Sequence, residues 1–508
     1  MLLEVQAGVE DGENSGQARR DFLTRLHNVA REDEPVMLEL RALCFSAIIL
    51  TLTGMAMSQQ PPQNESNVAI GQALQLAREH RYAEAEATLK GVNAPVDPAQ
   101  KIAFYRLKAA IASGLGHFTV AAENMDNAAR LAPRNQDLRI AAGIARLQDQ
   151  VDTHVDPAQT LKRLRGETLP PRQAVDIRLR LAEILSRANL FSEAAVDFAA
   201  ASALAPDRGD LFYDLALANL RAGRLDDALV SAERAKSVAD SGSIESLIGD
   251  IQEKRGDPLA AVHSYQAAVA LEPSDERYQL ALGLELLRHQ TFDAALVVFE
   301  QASALFPQSV RVRILLGLTY FFVDRSADAI QALRDAAKID PRDETVARYL
   351  GEITLQDTSA PDPAATAQVC NFADEHPQNK TADAFCGGIL LKVARDSGDV
   401  SRRPEILRRL QHAARIAPRE PIARCQLAKA YEWAELWSPA RPEAEACVRL
   451  DPGSPDGHYQ LSRIYRRLGL TVLAKQQTSL QQAAAVRQNE ESVRRTETVT
   501  KFLVLLEH

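Results

Sequence analysis

The side chains able to do covalent or metal chemistry are few in this chain. Five cysteines occur among 508 residues: Cys44 in an apolar run near the start, and Cys370, Cys386, Cys425 and Cys447 toward the other end. A thiolate can ligate zinc, act as a nucleophile or pair oxidatively with a second thiol, and spacing separates these uses. The spacings here are wrong for a zinc knuckle. Two readings stand side by side: local disulfides in an oxidising compartment, each contributing about 3 kcal/mol, and buried free thiols serving as small hydrophobes. Spacing does not fix which thiol would meet which.

Acid–base chemistry has less to work with. His263, His289, His412 and His458 are scattered, and none forms the two-ligand spacing with a helical glutamate that a zinc hydrolase needs. Glu375 and His376 stand beside Pro377 and mark a turn. A glycine-rich phosphate loop and a nucleophile elbow are both missing. The net charge of −9, spread over both signs, supplies no basic footprint for a phosphate backbone. The expectation is a non-catalytic chain with no cofactor, no metal and no nucleic-acid partner.

Whatever these residues do, helices must position them. Aromatic residues make up only 5% of the chain while Ala and Leu abound, which favours close-packed helices over strands. At 508 residues a single compact domain would be unusual, so several domains or a repeat array is expected. A fixed period decides between them. Pro273, Pro307 and Pro341 are 34 residues apart, as are Pro418 and Pro452, and Asp240 takes the intermediate place between Pro206 and Pro273. Ahead of these come Ala201, Ala235, Ala268, Ala302 and Ala336, each with another alanine seven residues earlier: Ala194, Ala228, Ala261, Ala295 and Ala329. Seven residues is two helical turns, so each pair lies on one stripe of one helix. Phe198, Tyr265, Phe299 or Leu333 stands between them. An earlier helix in each unit carries Ala182, Ala216, Gly249, Gly283, Gly317, Gly351 or Ala428. Each unit is therefore a helical hairpin, closed where small side chains let backbones approach and ended by a proline.

The segment ILLGLTYFFVDRSADAIQALRDAAKIDP, residues 314–341, resembles the tetratricopeptide repeat (TPR) pattern of Leu-Gly, Tyr, Ala, bulky residue, Ala and Pro. The resemblance is to the secreted bacterial type and implies an all-α, right-handed α-solenoid of about twelve stacked TPR hairpins over residues 67–484. Good copies run 175–208, 209–241, 242–275, 276–309, 310–343 and 421–454, with recognisable ones at 67–98 and 102–135. The 136–172, 344–378 and 380–419 units are degenerate, each with an insertion in a turn. Cys370 falls on the second helix of one unit and Cys386 on the first helix of the next, while Cys425 and Cys447 share a single unit.

The resemblance further implies a protein or peptide ligand on a concave wall formed by the first helices. Carried over unit by unit, the wall comprises Arg277, Leu280, Leu284, Leu287 and Arg288, then Arg311, Ile314, Leu318, Phe321 and Phe322: an apolar strip edged by arginine. Later units present Lys429, Glu432 and Trp433, then Tyr459, Arg463, Arg466 and Arg467, a set suited to a carboxylate or acidic stretch. The lysine–asparagine clamp of chaperone-tail binders is absent, since Leu280 and Leu284, or Tyr213 and Leu217, occupy the comparable places. A structural spacer or self-associating scaffold without a ligand groove is the alternative.

The ends carry their own signals. Arg41 precedes an apolar run from Ala42 to Met57 followed by small residues, the layout of a signal peptide cleaved after Ala56 or Ser58. With 36 mostly polar residues ahead of Met37, three readings compete: translation from Met37, an uncleaved membrane anchor behind Arg19, Arg20, Arg25 and Arg31, or a buried helix. The first two place the array outside the cytoplasm, in the periplasm or beyond. Residues 1–58 thus form an extension plus signal or anchor, and residues 59–66 a linker. Val499, Phe502, Leu503 and Leu506 share one face of a helix over residues 485–508, expected to cap the stack. Oligomeric state is not legible.

Overall fold

The structure is a computed structural model that describes residues 65–487. All regular elements among them are helical. The signal or anchor segment, Cys44 and nearly all of the expected capping helix lie outside the described residues, and a helix already begins at Glu65, inside the expected linker.

Local chemistry sets the helix boundaries. Several first (A) helices have their N-cap two residues after the proline that ends the preceding unit. There Asn135, Ser309, Asp343 and Ser454 accept a hydrogen bond from a backbone N–H in the first turn, at 3.1, 3.1, 2.9 and 3.2 Å respectively. Proline therefore stops one helix, and an Asx or Ser side chain starts the next. Within hairpins the A helix ends at a residue in the left-handed region. This is Gly at 223 and 469, but Asn189, Gln290, Asp324 and Glu435 accept the same conformation at φ near 60°.

The chain divides into two compact units that meet in sequence at Arg255 and Gly256. In the first, A and B helices alternate from Glu65–Arg78 to Leu225–Val238, and Gly242–Arg255 ends the unit. The small residues of the repeat make its core: Ala182, Ala194, Ala201, Ala216, Ala228 and Ala235 have no exposed surface. The degenerate 136–172 unit has a short B helix, Ala158–Arg165, tied to its neighbour electrostatically. Asp197, fully buried, sits 2.7 Å from both Arg165 and Arg178, so a two-arginine cradle compensates the desolvated carboxylate.

The second unit begins with Pro258–Leu271 and runs through hairpins Glu276–Arg288/Phe292–Leu305, Val310–Phe322/Ser326–Ile339, Glu344–Gln356/Pro363–Glu375, Ala382–Ser397/Arg403–Ile416 and Pro421–Trp433/Trp437–Leu450. Pro455–Arg467 and a helix over 471–487 complete it. One apolar core extends without a break from Ala261 to Ala430. Close approach is written into the A helices: a Cβ on Gly283 would meet the Phe299 ring at 2.3 Å, and one on Gly351 would meet Phe385 at 2.7 Å. Both units are all-α solenoid segments, each hairpin packed on the next.

Candidate functional site

Between residues 344 and 467, successive A helices touch one another more closely than successive B helices do. The A-helix wall is therefore the inner, tighter side of the stack there.

The expected apolar strip is not part of an open wall. Leu280, Leu287, Ile314, Leu318, Phe321 and Phe322 are all buried in the continuous core, and Leu284 is partly buried against it. Phe322 stacks on Phe292 with centroids 4.8 Å apart. Large apolar side chains on the inner faces of adjacent hairpins fill the wall with one another, which removes them from water. Arg277 is held by Asp275 at 2.6 Å, Arg288 pairs with the buried Glu285, and Arg311 is half-buried. The arginines remain near the surface while the strip between them is interior.

The later set is different. Trp433 is half-buried with the Arg403 guanidinium 5.0 Å above its ring, and Tyr459 is exposed with Arg463 at 5.7 Å. Arg463 Nη2 also lies 3.0 Å from Glu432 Oε1, across the junction between two hairpins. Arg466 is exposed and donates to Ser462 Oγ at 2.9 Å. Arg467 leans over Trp437 at 5.4 Å.

At the centre is Lys429, on the helix Pro421–Trp433. Burial holds its ammonium below the ordinary lysine value, Arg395 adds repulsion, and Asp456 and Glu432 oppose the shift. Among the described residues its Nζ has no hydrogen-bond or ion-pair partner. A desolvated cation with its donors unmatched is expensive, and an anion entering the groove would relieve it. Lys392 differs, because it donates to the carbonyl oxygen of Asp357. Lys392, Arg395 and Asp456 escaped the sequence reading. The structure supplies the register: Gly387 packs against Leu410 of its own hairpin, as Gly283 does against Phe299, which places Lys392 five residues beyond the small residue, where Trp433 stands relative to Ala428.

Two disulfides bracket this wall. Cys370–Cys386 joins Pro363–Glu375 to the next A helix, and Cys425–Cys447 joins the two helices of one hairpin; both have Cα atoms 4.9 Å apart. Cys425 is one turn from Lys429. Among the described residues no group of His, Cys, Asp and Glu is placed to hold a metal, and no helix is long and apolar enough to cross a membrane.

A family model described as tetratricopeptide repeat matches residues 286–353, and a second of the same description matches 179–243 and 247–310. These segments are tetratricopeptide repeats. No curated protein matches the chain. Solved structures of similar fold include the C-terminal part of a TPR protein from Cytophaga hutchinsonii, at 16% identity and TM-score 0.42, covering 49% of this chain and 99% of that one. Yeast Tom70 is similar at 15% identity and TM-score 0.31, covering 84% and 96%. YrrB, a TPR protein with an unusual peptide-binding site, is similar at 20% identity and TM-score 0.30, covering 35% and 97%.

Proposed function

We propose that the protein is a non-catalytic interaction scaffold whose TPR wall between Ala382 and Arg467 receives an acidic segment of another protein. The observation that carries this reading is Lys429: partly buried, without a partner, and close enough to Arg395 to be repelled by it. An extended chain bearing carboxylates would satisfy these donors, and Trp433 and Tyr459 offer apolar faces beside them. Both disulfides support an oxidising, exported location, periplasmic or extracellular.

A labelled hexaglutamate peptide tests the groove. Binding to the full chain is expected to weaken with salt and to fall about tenfold on Lys429→Gln, while hexalysine does not bind. Equal affinity for both peptides would remove the reading.

The burial of Leu318, Phe321 and Phe322 favours a second reading for residues 276–356, in which that stretch is a spacer presenting no groove.

A further inference from the structure

The groove holds a carboxylate of its own. Glu432 is on the same helix as Lys429, its side chain is only 13% exposed, and it faces Arg463 of the following hairpin at 3.0 Å. That contact is a charge–charge approach without hydrogen-bond alignment: Glu432 Oε1 is shut off from solvent and has no hydrogen-bond partner. A buried carboxylate oxygen held in this way is poorly compensated. Arg463, by contrast, is 48% exposed and reaches toward the same wall through Tyr459. Its forked guanidinium matches a carboxylate two-pronged, yet it makes no hydrogen bond to the Oε1 of its present partner.

We infer that Glu432 is a resident competitor for the ligand's acidic side chains, occupying Arg463 and thereby setting which ligands the groove accepts. The inference rests on the acidic-ligand reading above. A ligand with isolated carboxylates meets Lys429 alone and is repelled by Glu432. One with closely spaced carboxylates can displace Glu432 from Arg463 while it engages Lys429. Glu432 is thus a specificity-determining residue, trading affinity for discrimination.

The test uses the full chain and the hexaglutamate peptide. Glu432→Gln keeps size and shape and removes the competitor; Glu432→Met replaces it where Gln does not fold. Asp456→Asn removes an equal charge near Lys429 without releasing an arginine, so it measures the effect of charge alone. The expected result is an affinity gain of about tenfold for Glu432→Gln, several times that of Asp456→Asn. Arg463→Lys, which keeps the charge and loses the fork, should then cost several-fold more in the Glu432→Gln background, where no competitor has to be displaced first, than in the native one. A gain no larger than that of Asp456→Asn, or an Arg463→Lys effect equal in both backgrounds, would overturn the inference while leaving the groove intact. Failure of the native chain and of Glu432→Gln alike to bind hexaglutamate would instead remove the acidic groove, and the inference with it.

Discussion

The ring of Phe299 occupies the space that a side chain on Gly283 would need, its Cζ 2.3 Å from where a Cβ would stand. Phe299 has no exposed surface, so its ring cannot swing into solvent. Gly283→Ala is expected to lower stability by about 1–3 kcal/mol through overpacking, seen as an earlier urea midpoint. Adding Phe299→Leu should recover part of the loss, because the smaller side chain vacates the contested volume.

Reduction should act on the C-terminal half of the second unit. Each bridge closes a short loop, and losing one costs about 3 kcal/mol in the chain-entropy account. Hydrogen exchange with and without a reductant is the direct measurement. Protection should fall around Pro363–Ser397 and Pro421–Leu450 and change little around Glu276–Ile339. Mass spectrometry of the oxidised chain should show a pair of hydrogens missing for each bridge and no alkylated thiol among these four cysteines.

Lys429 makes stability depend on pH in a window whose upper end is the ordinary lysine value of 10.5. Its folded pKa is lowered while the unfolded one keeps the ordinary value of 10.5. Between the two the unfolded chain holds more protons, so stability rises with pH across that window, and below it the full cost of the buried charge is present. Lys429→Met should therefore raise stability at pH values below that window and flatten this part of the profile. The same variant should lose hexaglutamate binding, so that stability and recognition move in opposite directions.

Charges placed at Phe321 or Phe322 should unfold rather than merely blind the protein. Both side chains are buried, and Phe322 is stacked on Phe292. Phe321→Glu is expected to cost more than 3 kcal/mol and to broaden or split the thermal transition. A folded Phe321→Glu variant of native stability would show that this face is open to water.

The helical architecture was legible because its determinants are local and recur. Alanines such as Ala261, Ala268, Ala295 and Ala302 can be read at their offsets without knowing what they touch, and each proves fully buried. The wall was harder to read. Leu318 and Lys429 both stand one residue after the small position of their A helix, yet the first is fully buried and the second only partly so. The difference comes from how neighbouring hairpins fill the space between them, which no single unit encodes. Lys392 and Arg395 were hidden for a related reason: turn insertions in the degenerate units obscured the register that assigns a residue to the wall. The cysteine spacings permitted local bridges, and only three-dimensional proximity selects Cys370 with Cys386 and Cys425 with Cys447.

The same two bridges govern how the second unit would respond to being pulled. A stack of hairpins under tension peels from its ends, each hairpin paying out its contour in turn. Cys370–Cys386 and Cys425–Cys447 withhold 16 and 22 residues from that extension, roughly 50 and 75 Å at the reach of an extended chain. Lys429 and Cys425 share a helix, so the part of the wall proposed to hold a guest is also the part whose slack is locked away, and a tether gripping there would have its travel shortened at the grip.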